Sequence, residues 1–443
     1  MNKYFDVRDR FGEDLVPGIT LGRIADFRIP EEDIKILREL GRKKAEIANH
    51  PSMQENIKLW KSTNDLKMVK PPIFIDEICW NEMNVDDELT LRTKHPFAQE
   101  LEDYLRKEIY KWKHLPATMV VSPFIECPMV VYDSGFGIDE KVETVQTDET
   151  STIVSRHFNI LISNEDDIEK IKDPEIIYDQ ERTEQYYEVL KEIFDGIIDV
   201  KITGSRGLWF TPWDYLIRVT GIQETMMNLV LEPQFIDKVV ERYVDASIVR
   251  MSKYRELGIW SSNNTNVRVG SGGYGYCSSL EEADKYPVNA PTKELWGCGN
   301  AQIFSEVSPE MHWEFSIKHE LRWISEFGLS YYGCCEPLHN KMHVLERIPN
   351  LRKVSMSPWA KLDVAREICK DKYVMSCKPS PAVFAVDNWD PKEAKRQIWN
   401  ILEQTKGCSI ELVMKDISTV KYQPQKLWEW SRIAQETIDE YYG

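Results

Sequence analysis

Residues 328–382 read GLSYYGCCEPLHNKMHVLERIPNLRKVSMSPWAKLDVAREICKDKYVMSCKPSPA, and this stretch decides the fold. Apolar or aromatic runs at residues 329–334, 351–356 and 373–377 predict three short buried strands. The segments between these runs carry apolar residues at helical spacing and therefore predict helices. Strands that alternate with helices at so short an interval imply parallel pairing through crossover connections.

The same alternation continues on both sides of this stretch, from about residue 118 to the end of the chain. Its spacing suits eight βα units, and it predicts an α/β fold that is a (β/α)8 TIM barrel. We therefore expect two parts, an N-terminal helical extension over residues 1–115 and the barrel over residues 116–443. Amphipathic spacing at residues 31–48 and 95–112 marks the extension as a helical cap or as the contact of a possible homodimer.

The composition is that of a globular protein, with 42% hydrophobic and 29% charged residues. A net charge of -17 without a basic stripe argues against nucleic acid or an anionic membrane as partner. The longest apolar run, residues 117–133, is interrupted by prolines and a glutamate and predicts no membrane span. No signal peptide is visible at the N-terminus, and nine cysteines scattered along the chain suit reduced thiols. These features predict a cytoplasmic enzyme.

Chemically useful side chains gather where the predicted strands stop. Cys334, Cys335 and Glu336 end one strand, and Cys377 and Lys378 end another. Alternation along a strand places Cys334 and Glu336 on one face and Cys335 on the other, unless the strand has already turned. Thiolates from two strands and a carboxylate would form a soft zinc site. The spacing alone favours a second interpretation, in which the cysteines are small buried hydrophobes, because no CxxC or HxH pattern is present.

Two further loops offer aromatic side chains at strand ends. Trp209, Phe210 and Trp213 follow a predicted strand at residues 198–202, and they indicate a loop that folds over a binding site. A well-packed connection is an equally good interpretation of these residues. The segment 261–277 contains Tyr274 and Tyr276 among four glycines, and it lacks the glycine spacing of a phosphate-binding loop.

Three blocks of this sequence resemble the uroporphyrinogen decarboxylase-like superfamily, and more narrowly its zinc- and corrinoid-dependent methyltransferase branch. The blocks are GLWFTPWDYLIRVTGIQETMMNLVLEPQFIDKVVERY at residues 207–243, AQIFSEVSPEMHWEF at residues 301–315, and the stretch 328–382. They occur in the order and spacing of that superfamily. The resemblance implies a (β/α)8 barrel with an N-terminal extension.

The resemblance also implies a site. The methyltransferase branch binds zinc with a His-x-Cys at one strand end and a later cysteine. Cys334 matches the cysteine of that motif, whereas Tyr332 stands at the histidine, and Met414 and Lys415 follow the late strand without a cysteine. We therefore expect zinc on Cys334, Cys335, Glu336 and Cys377, with Glu336 and Tyr332 as catalytic residues. The residues expected to bind the substrate are Trp209, Phe210, Trp213, Tyr274, Tyr276, Gln302, Glu306 and Lys378.

The activity that the resemblance implies is methyl transfer. A small methylated donor, such as a methoxylated aromatic compound, would give its methyl group to the cobalt of a corrinoid protein, with zinc as Lewis acid. The alternative is a metal-free lyase of the decarboxylase type acting on an anionic substrate. That alternative predicts arginines at the barrel mouth and cysteines that can be replaced without loss. A third hypothesis is a carrier that binds a corrinoid or tetrapyrrole without turnover.

Overall fold

The computed structural model describes residues 28–115, 117–138 and 159–443 in full, together with the backbone of residues 5–6, 142–145 and 155–158. Its main feature is a sheet of seven strands. In chain order they are β1 (Ile73–Ile75), β2 (Trp209–Phe210), β3 (Trp296–Gly299), β4 (Leu329–Tyr332), β5 (Leu351–Met356), β6 (Val374–Cys377) and β7 (Ile410–Met414). Across the sheet the order is β1-β7-β6-β5-β4-β3-β2, and every neighbouring pair is parallel.

The parallel pairing predicted for the decisive stretch is confirmed. Strands β4, β5 and β6 lie side by side, and helix Leu362–Cys369 connects β5 to β6. Strand β4 ends two residues earlier than its apolar run suggested. The cause is Gly333, whose φ of +100° lies outside the region that strand residues adopt, so the chain turns before Cys334.

The coarser part of the fold prediction, an α/β fold built on a parallel sheet, is confirmed. A closed ring of eight strands is not shown, because β1 and β2 remain the two edges of this sheet among the strands that the structure describes. A second parallel pair, Phe124–Pro128 with Asp199–Thr203, lies outside it. Strand β1 comes from residues before 116, so the segment expected to be a helical extension also contributes a strand to the sheet.

Helices flank the sheet along most of the chain. The α-helices span Glu31–Ala48, Ser52–Asn64, Pro96–His114, Gln180–Phe194, Pro212–Thr220, Ile222–Leu231, Pro233–Glu256, Pro309–His312, Lys318–Ile324, Met342–Leu345, Leu362–Cys369, Pro391–Gln404 and Gln425–Tyr442. Several begin with proline in the first turn, where its missing N–H costs no hydrogen bond. Within the described part of the chain, no helix is long and apolar enough to cross a membrane.

The small strands outside the main sheet are antiparallel. Val142–Val145 pairs with Ser155–Phe158. Val131–Asp133 lies between Phe5–Asp6 and Ile176–Tyr178 in a three-stranded sheet.

The two faces of the main sheet are packed differently. On the outer face, Tyr332, Val354 and Leu412 belong to the large core formed with the flanking helices. On the inner face, Tyr331 packs against Val269 and Cys277 of the glycine-rich segment. The close approach requires glycine, because a Cβ at position 270 would lie 2.4 Å from the Tyr331 ring. The glycine-rich segment therefore fills the inner face rather than forming a loop over a phosphate.

Candidate functional site

A cavity of about 720 Å³ lies at the carboxyl ends of the parallel strands. Its lining includes residues from or directly after four of them: Trp209 and Phe210 of β2, Asn300 and Gln302 after β3, Cys334 and Cys335 after β4, and Lys415 and Asp416 after β7. Ligands of parallel α/β proteins commonly bind at this edge. The cavity also falls within the usual size range of small-molecule sites.

Cys334 and Cys335 form a pair of neighbouring thiols in this cavity. Their sulfur atoms are 3.5 Å apart, because the turn at Gly333 ends the strand alternation before Cys334. Cys334 is 7% exposed, whereas Cys335 is exposed. The Nζ of Lys415 lies 3.9 Å from the Cys334 Sγ. All nine cysteines are free thiols, as their scattered spacing predicted.

The surroundings of this pair favour the thiolate form of Cys334. A hydrogen bond from the Cys335 thiol lowers the pKa of Cys334 to about 7, against the opposing effect of burial. The positive charges of Lys415 and Lys378 lower the same pKa. Cys335 donates that hydrogen bond, so its own pKa is raised. Near neutral pH Cys334 is thus partly in the thiolate form that a nucleophile requires, and Cys335 is its protonated hydrogen-bond partner.

Glu336 lies next to this pair but does not face the cavity. The carboxylate is fully buried and accepts the backbone N–H of Cys334 at 2.8 Å and that of Ala301 at 3.4 Å. It thereby ties the turn after β4 to the segment after β3. This geometry makes Glu336 a residue that positions Cys334, and its oxygens are already used by backbone donors.

Cys377 was expected from the sequence to be a zinc ligand, but the structure places it away from the thiols of the cavity. Register pairs it with Met356 and Leu412, and these residues point to the outer face of the sheet. Its side chain is fully buried among hydrocarbon, and burial raises the pKa of its thiol. Because adjacent residues of a strand face opposite sides, Cys377 cannot reach the thiols at the cavity.

The remaining donors do not fit a zinc ion. Two thiols are present, but the carboxylate expected beside them is taken up by backbone N–H groups, and the Lys415 ammonium occupies the cationic position next to Cys334. A structural or catalytic zinc site in proteins has at least three protein ligands. In the described ranges, no group of three histidine, cysteine or acidic residues is placed to hold a metal ion.

Aromatic rings form much of the cavity lining and are here called the aromatic wall. Trp209 and Phe210 line it as expected from the sequence. The structure adds six more rings that the sequence did not single out: Phe136, Tyr215, Tyr243, Tyr254, Trp260 and Trp323. Their packing is ordered, since the rings of Phe210 and Trp323 stack with centroids 4.8 Å apart and those of Tyr215 and Tyr243 at 5.0 Å.

Several residues expected at the site lie elsewhere. Trp213 is fully buried and donates its indole N–H to the Phe315 carbonyl. Tyr332 is on the outer face and bonds His312 at 2.9 Å. Lys378 is buried outside the cavity lining, and its Nζ donates hydrogen bonds to the hydroxyl groups of Ser355 and Tyr331 at 2.6 and 3.1 Å. The remaining expected residues outside the lining are Tyr274, Tyr276 and Glu306.

Asp214 is a cavity carboxyl that sequence reasoning missed. Burial, together with the nearby charge of Glu336, raises its pKa to about 6. Gln302 donates a hydrogen bond of 3.4 Å to it. An acid with a pKa close to neutrality can hold and release a proton during catalysis. The sequence feature that could have identified Asp214 is its position in the first turn of helix Pro212–Thr220, which directly follows β2.

Three arginines also line the cavity, and each interacts with an acidic residue. Arg250 forms an ion pair with Asp133 at 2.8 Å. Arg268 donates to Asp76 and Glu77 at 3.0 and 2.9 Å. Against the larger effect of burial, the positive charge of Arg218 lowers the pKa of Asp214. These partners neutralise much of the positive charge that the arginines would otherwise present to a ligand.

The comparisons with known proteins give little direct guidance. No family model matches this sequence, and no curated protein matches it. In a comparison with solved structures, the chain is similar to a methyltransferase from Methanosarcina mazei, with 9% sequence identity and a TM-score of 0.47. That match covers 88% of this chain and 99% of the other. Since a likeness this weak says nothing about activity, the function has to be argued from the site.

Proposed function

We propose that this protein is a methyltransferase that binds a small methylated aromatic donor in the cavity. One observation carries the proposal: a thiolate-forming cysteine, Cys334, and a proton-holding carboxyl, Asp214, line the same aromatic-walled space. Methyl transfer to a nucleophile needs these two groups, one to attack the methyl carbon and one to protonate the departing heteroatom.

The aromatic wall supplies binding and orientation. A flat donor can pack against the partly exposed rings of Trp209 and Tyr215, and pairs of aromatic rings contribute about 0.5–1.5 kcal/mol beyond the apolar area they bury. The rings also exclude water from the reacting groups, which strengthens electrostatic interactions inside the cavity. Binding a methyl ether against this wall would bring its methyl group toward the Cys334 sulfur.

The transfer step follows from these roles. The thiolate pair of Cys334 forms the new sulfur–carbon bond, and the carbon–oxygen bond of the donor breaks with its electron pair moving to oxygen. That oxygen takes the proton of Asp214, which is partly protonated near neutral pH because its pKa is about 6. Cys334 is a neutral thioether after the step, so the hydrogen bond from Cys335 and the charge of Lys415 favour the reactant thiolate over the methylated product.

The final methyl acceptor in this proposal is the cobalt of a corrinoid on a partner protein, as the resemblance to the methyltransferase branch implies. No zinc ion takes part, since the donors at the cavity do not fit one. Glu336 contributes by fixing the Cys334 backbone, and Tyr332 supports the sheet from its outer face.

The test uses 2-methoxyphenol with a deuterated methyl group as donor. Without an acceptor, we expect mass spectrometry of digested protein to find one trideuteromethyl group on the peptide that contains Cys334. Addition of cob(I)alamin should then produce the absorption spectrum of methylcob(III)alamin. Cys334→Ser should abolish both signals, and Cys377→Ser, the matched control, should retain them. Demethylation of the donor by Cys334→Ser at the wild-type rate would refute the proposed transfer.

A metal-free lyase acting on an anionic substrate is the second candidate. The observation that favours it is the presence of Arg218, Arg250 and Arg268 in the lining. The ion pairs of Arg250 and Arg268 with acidic residues weaken this argument. The lyase predicts that Cys334→Ser keeps its activity and that Arg218→Met loses it, so the same cysteine variant separates the two candidates.

A further inference from the structure

Asn300 is a buried amide that lines the cavity and has no protein partner. It follows the last residue of β3 and is 1% exposed. Neither its Oδ1 nor its Nδ2 has a hydrogen-bond partner among the described residues. The backbone beside it is closely packed, since a Cβ on the preceding Gly299 would lie 2.8 Å from Ile324.

A buried amide without hydrogen-bond partners lowers the stability of the fold unless a ligand forms the missing hydrogen bonds. A buried polar group without a partner destabilises a protein by about 1–3 kcal/mol. Such groups are rare in native structures, and they call for a specific explanation at each site. Here the explanation is provided by the cavity, into which a molecule can bring the missing acceptor and donor.

The chemistry of the amide defines what that molecule must offer. A carboxamide presents one acceptor and two donors in one plane, so its complement is an N–H group beside a carbonyl oxygen. Adjacent N–H and C=O groups in one plane occur in a lactam. The partly exposed rings of Trp209 and Tyr215 in the same lining favour a flat ligand.

The charge of the lining favours an uncharged molecule. The acidic side chains are Glu77, Asp214 and Asp416, the basic ones are Arg218, Arg250, Arg268 and Lys415, and Cys334 adds a thiolate. Asp133 and Asp76, which lie outside the lining, pair with Arg250 and Arg268, so no excess of positive charge is left to attract an anion. A neutral ring that carries the lactam edge is therefore a better match than an anion.

We propose that the methyl donor of this site is a planar heteroaromatic compound with a lactam edge, which Asn300 recognises by a paired hydrogen bond. The claim that the ligand is a methyl donor rests on the proposed function. The claim that Asn300 recognises a lactam edge rests only on the geometry of the cavity. It makes Asn300 a determinant of specificity: analogues without the lactam N–H should bind weakly, because they leave the Asn300 acceptor unpaired.

Two probes test the recognition: quinazolin-4(3H)-one, a flat bicyclic lactam, and its 3-methyl derivative, which lacks the N–H. We expect titration calorimetry to show at least about tenfold tighter binding of the lactam to the wild-type protein. In Asn300→Leu the ratio of the two dissociation constants should fall to within about twofold. Asn400→Leu, at an exposed position of helix Pro391–Gln404, is the control and should keep the wild-type ratio.

The variant itself should fold, since it removes an amide without a protein partner. Asn300→Asp serves as the second variant: it keeps the shape and the acceptor for the lactam N–H but loses the donor to the lactam carbonyl, so both probes should bind more weakly while the preference for the lactam remains. Equal binding of the two probes to the wild type, no binding of either, or an unchanged ratio in Asn300→Leu overturns the inference. The methyl-transfer assay is read separately, with 8-methoxyquinazolin-4(3H)-one carrying a deuterated methyl group as a second donor, because 2-methoxyphenol lacks the lactam edge. Failure of this methoxylated lactam as donor beside an intact lactam preference refutes the proposed function and not the recognition by Asn300.

Discussion

Single residues in this protein carry ionisation states that differ from those of the same groups in water. The neighbours of Cys334 lower its pKa to about 7, Asp214 is a weaker acid than usual, and burial raises the pKa of Glu320 to about 8. The largest of these departures is at Glu320, which has Ser316 as hydrogen-bond donor. Each departure makes a measurable difference to reactivity or to stability.

The reactivity of Cys334 should follow its thiolate. We expect its alkylation by iodoacetamide, followed by mass spectrometry of the Cys334 peptide, to have a midpoint near pH 7. Lys415→Met and Cys335→Ala each remove a group that stabilises the thiolate, and each should raise the midpoint by about one unit. Lys421→Met removes an exposed lysine paired with Asp387 and should change nothing. A wild-type midpoint at about 8.5, the value of an ordinary thiol, would contradict the assignment.

Glu320 should make the protein less stable as the pH rises. Its folded pKa of about 8 lies above the unfolded value of 4.5, so the folded state holds a proton that the unfolded state releases. The free energy of unfolding therefore falls between those two pH values. Glu320→Gln should be more stable than the wild type by about 1–3 kcal/mol at pH 8 and close to equal at pH 4.5.

Guanidinium unfolding at the two pH values measures this difference. Glu326→Gln, which replaces an exposed carboxylate, is the control and should show no such pH dependence. A Glu320→Gln variant that is destabilised equally at both pH values would mean that the carboxyl contributes packing or hydrogen bonds rather than a stored proton.

At the scale of elements, the ends of strands decide where the chemistry lies. The turn at Gly333 brings two consecutive cysteines to one cavity, and the continued alternation of β6 sends Cys377 to the opposite face. Both outcomes follow from backbone conformation. Apolar patterning located the strands β4 to β6, but it could not tell whether a strand ends one residue before or after a functional side chain.

Gly333→Ala adds only one methyl group, but it should disturb the site more than so small a change suggests. An added Cβ would lie 2.4 Å from Leu338 and 2.9 Å from Ser355, and the left-handed φ adds a cost of about 1–2 kcal/mol. We expect a loss of stability of about 3 kcal/mol or more by urea unfolding and a raised alkylation midpoint of Cys334. Gly407→Ala is the matched control, because it has a φ of +86° and nothing within 4 Å. A loss equal to that of the control would show that Gly333 is not closely packed.

At the scale of the whole molecule, one buried ion pair connects separate parts of the chain. Lys353 of β5 and Glu411 of β7 are both fully buried, with 2.8 Å between charged atoms. Glu411 also accepts the backbone N–H of Gly273, and the Lys353 ammonium lies 5.8 Å from the Trp60 ring centroid. The pair thus joins two strands, the glycine-rich segment and a helix of the N-terminal region.

Lys353→Met should leave the Glu411 charge buried and unpaired, which costs about 3–5 kcal/mol. Adding Glu411→Gln removes that charge while it keeps an acceptor for Gly273, so the double variant should be more stable than the single one. Lys395→Met breaks an exposed ion pair with Glu440 and should cost less than about 1 kcal/mol. A double variant less stable than Lys353→Met would contradict this account.

Much of the architecture could be predicted from local patterns, and much of the site could not. The parallel strands, the helix at Pro233–Glu256 and the polar residues at strand ends follow from periodicity and turn residues. The aromatic wall combines rings from distant segments, such as Phe136 and Trp323, which no spacing rule connects. Asn300 and Asp214 have ordinary sequence surroundings, and their importance lies in burial, which depends on the folded chain.

The packing of Val269 and Cys277 against the inner face of the sheet has a kinetic consequence. It closes the inner face of the sheet, so in the proposed reaction the methyl donor and the corrinoid protein would both approach Cys334 from the strand-end side. The demethylated product would then leave before the corrinoid protein docks. Initial rates measured against donor concentration at several acceptor concentrations should give parallel double-reciprocal lines, the pattern of an enzyme that is modified and regenerated in turn.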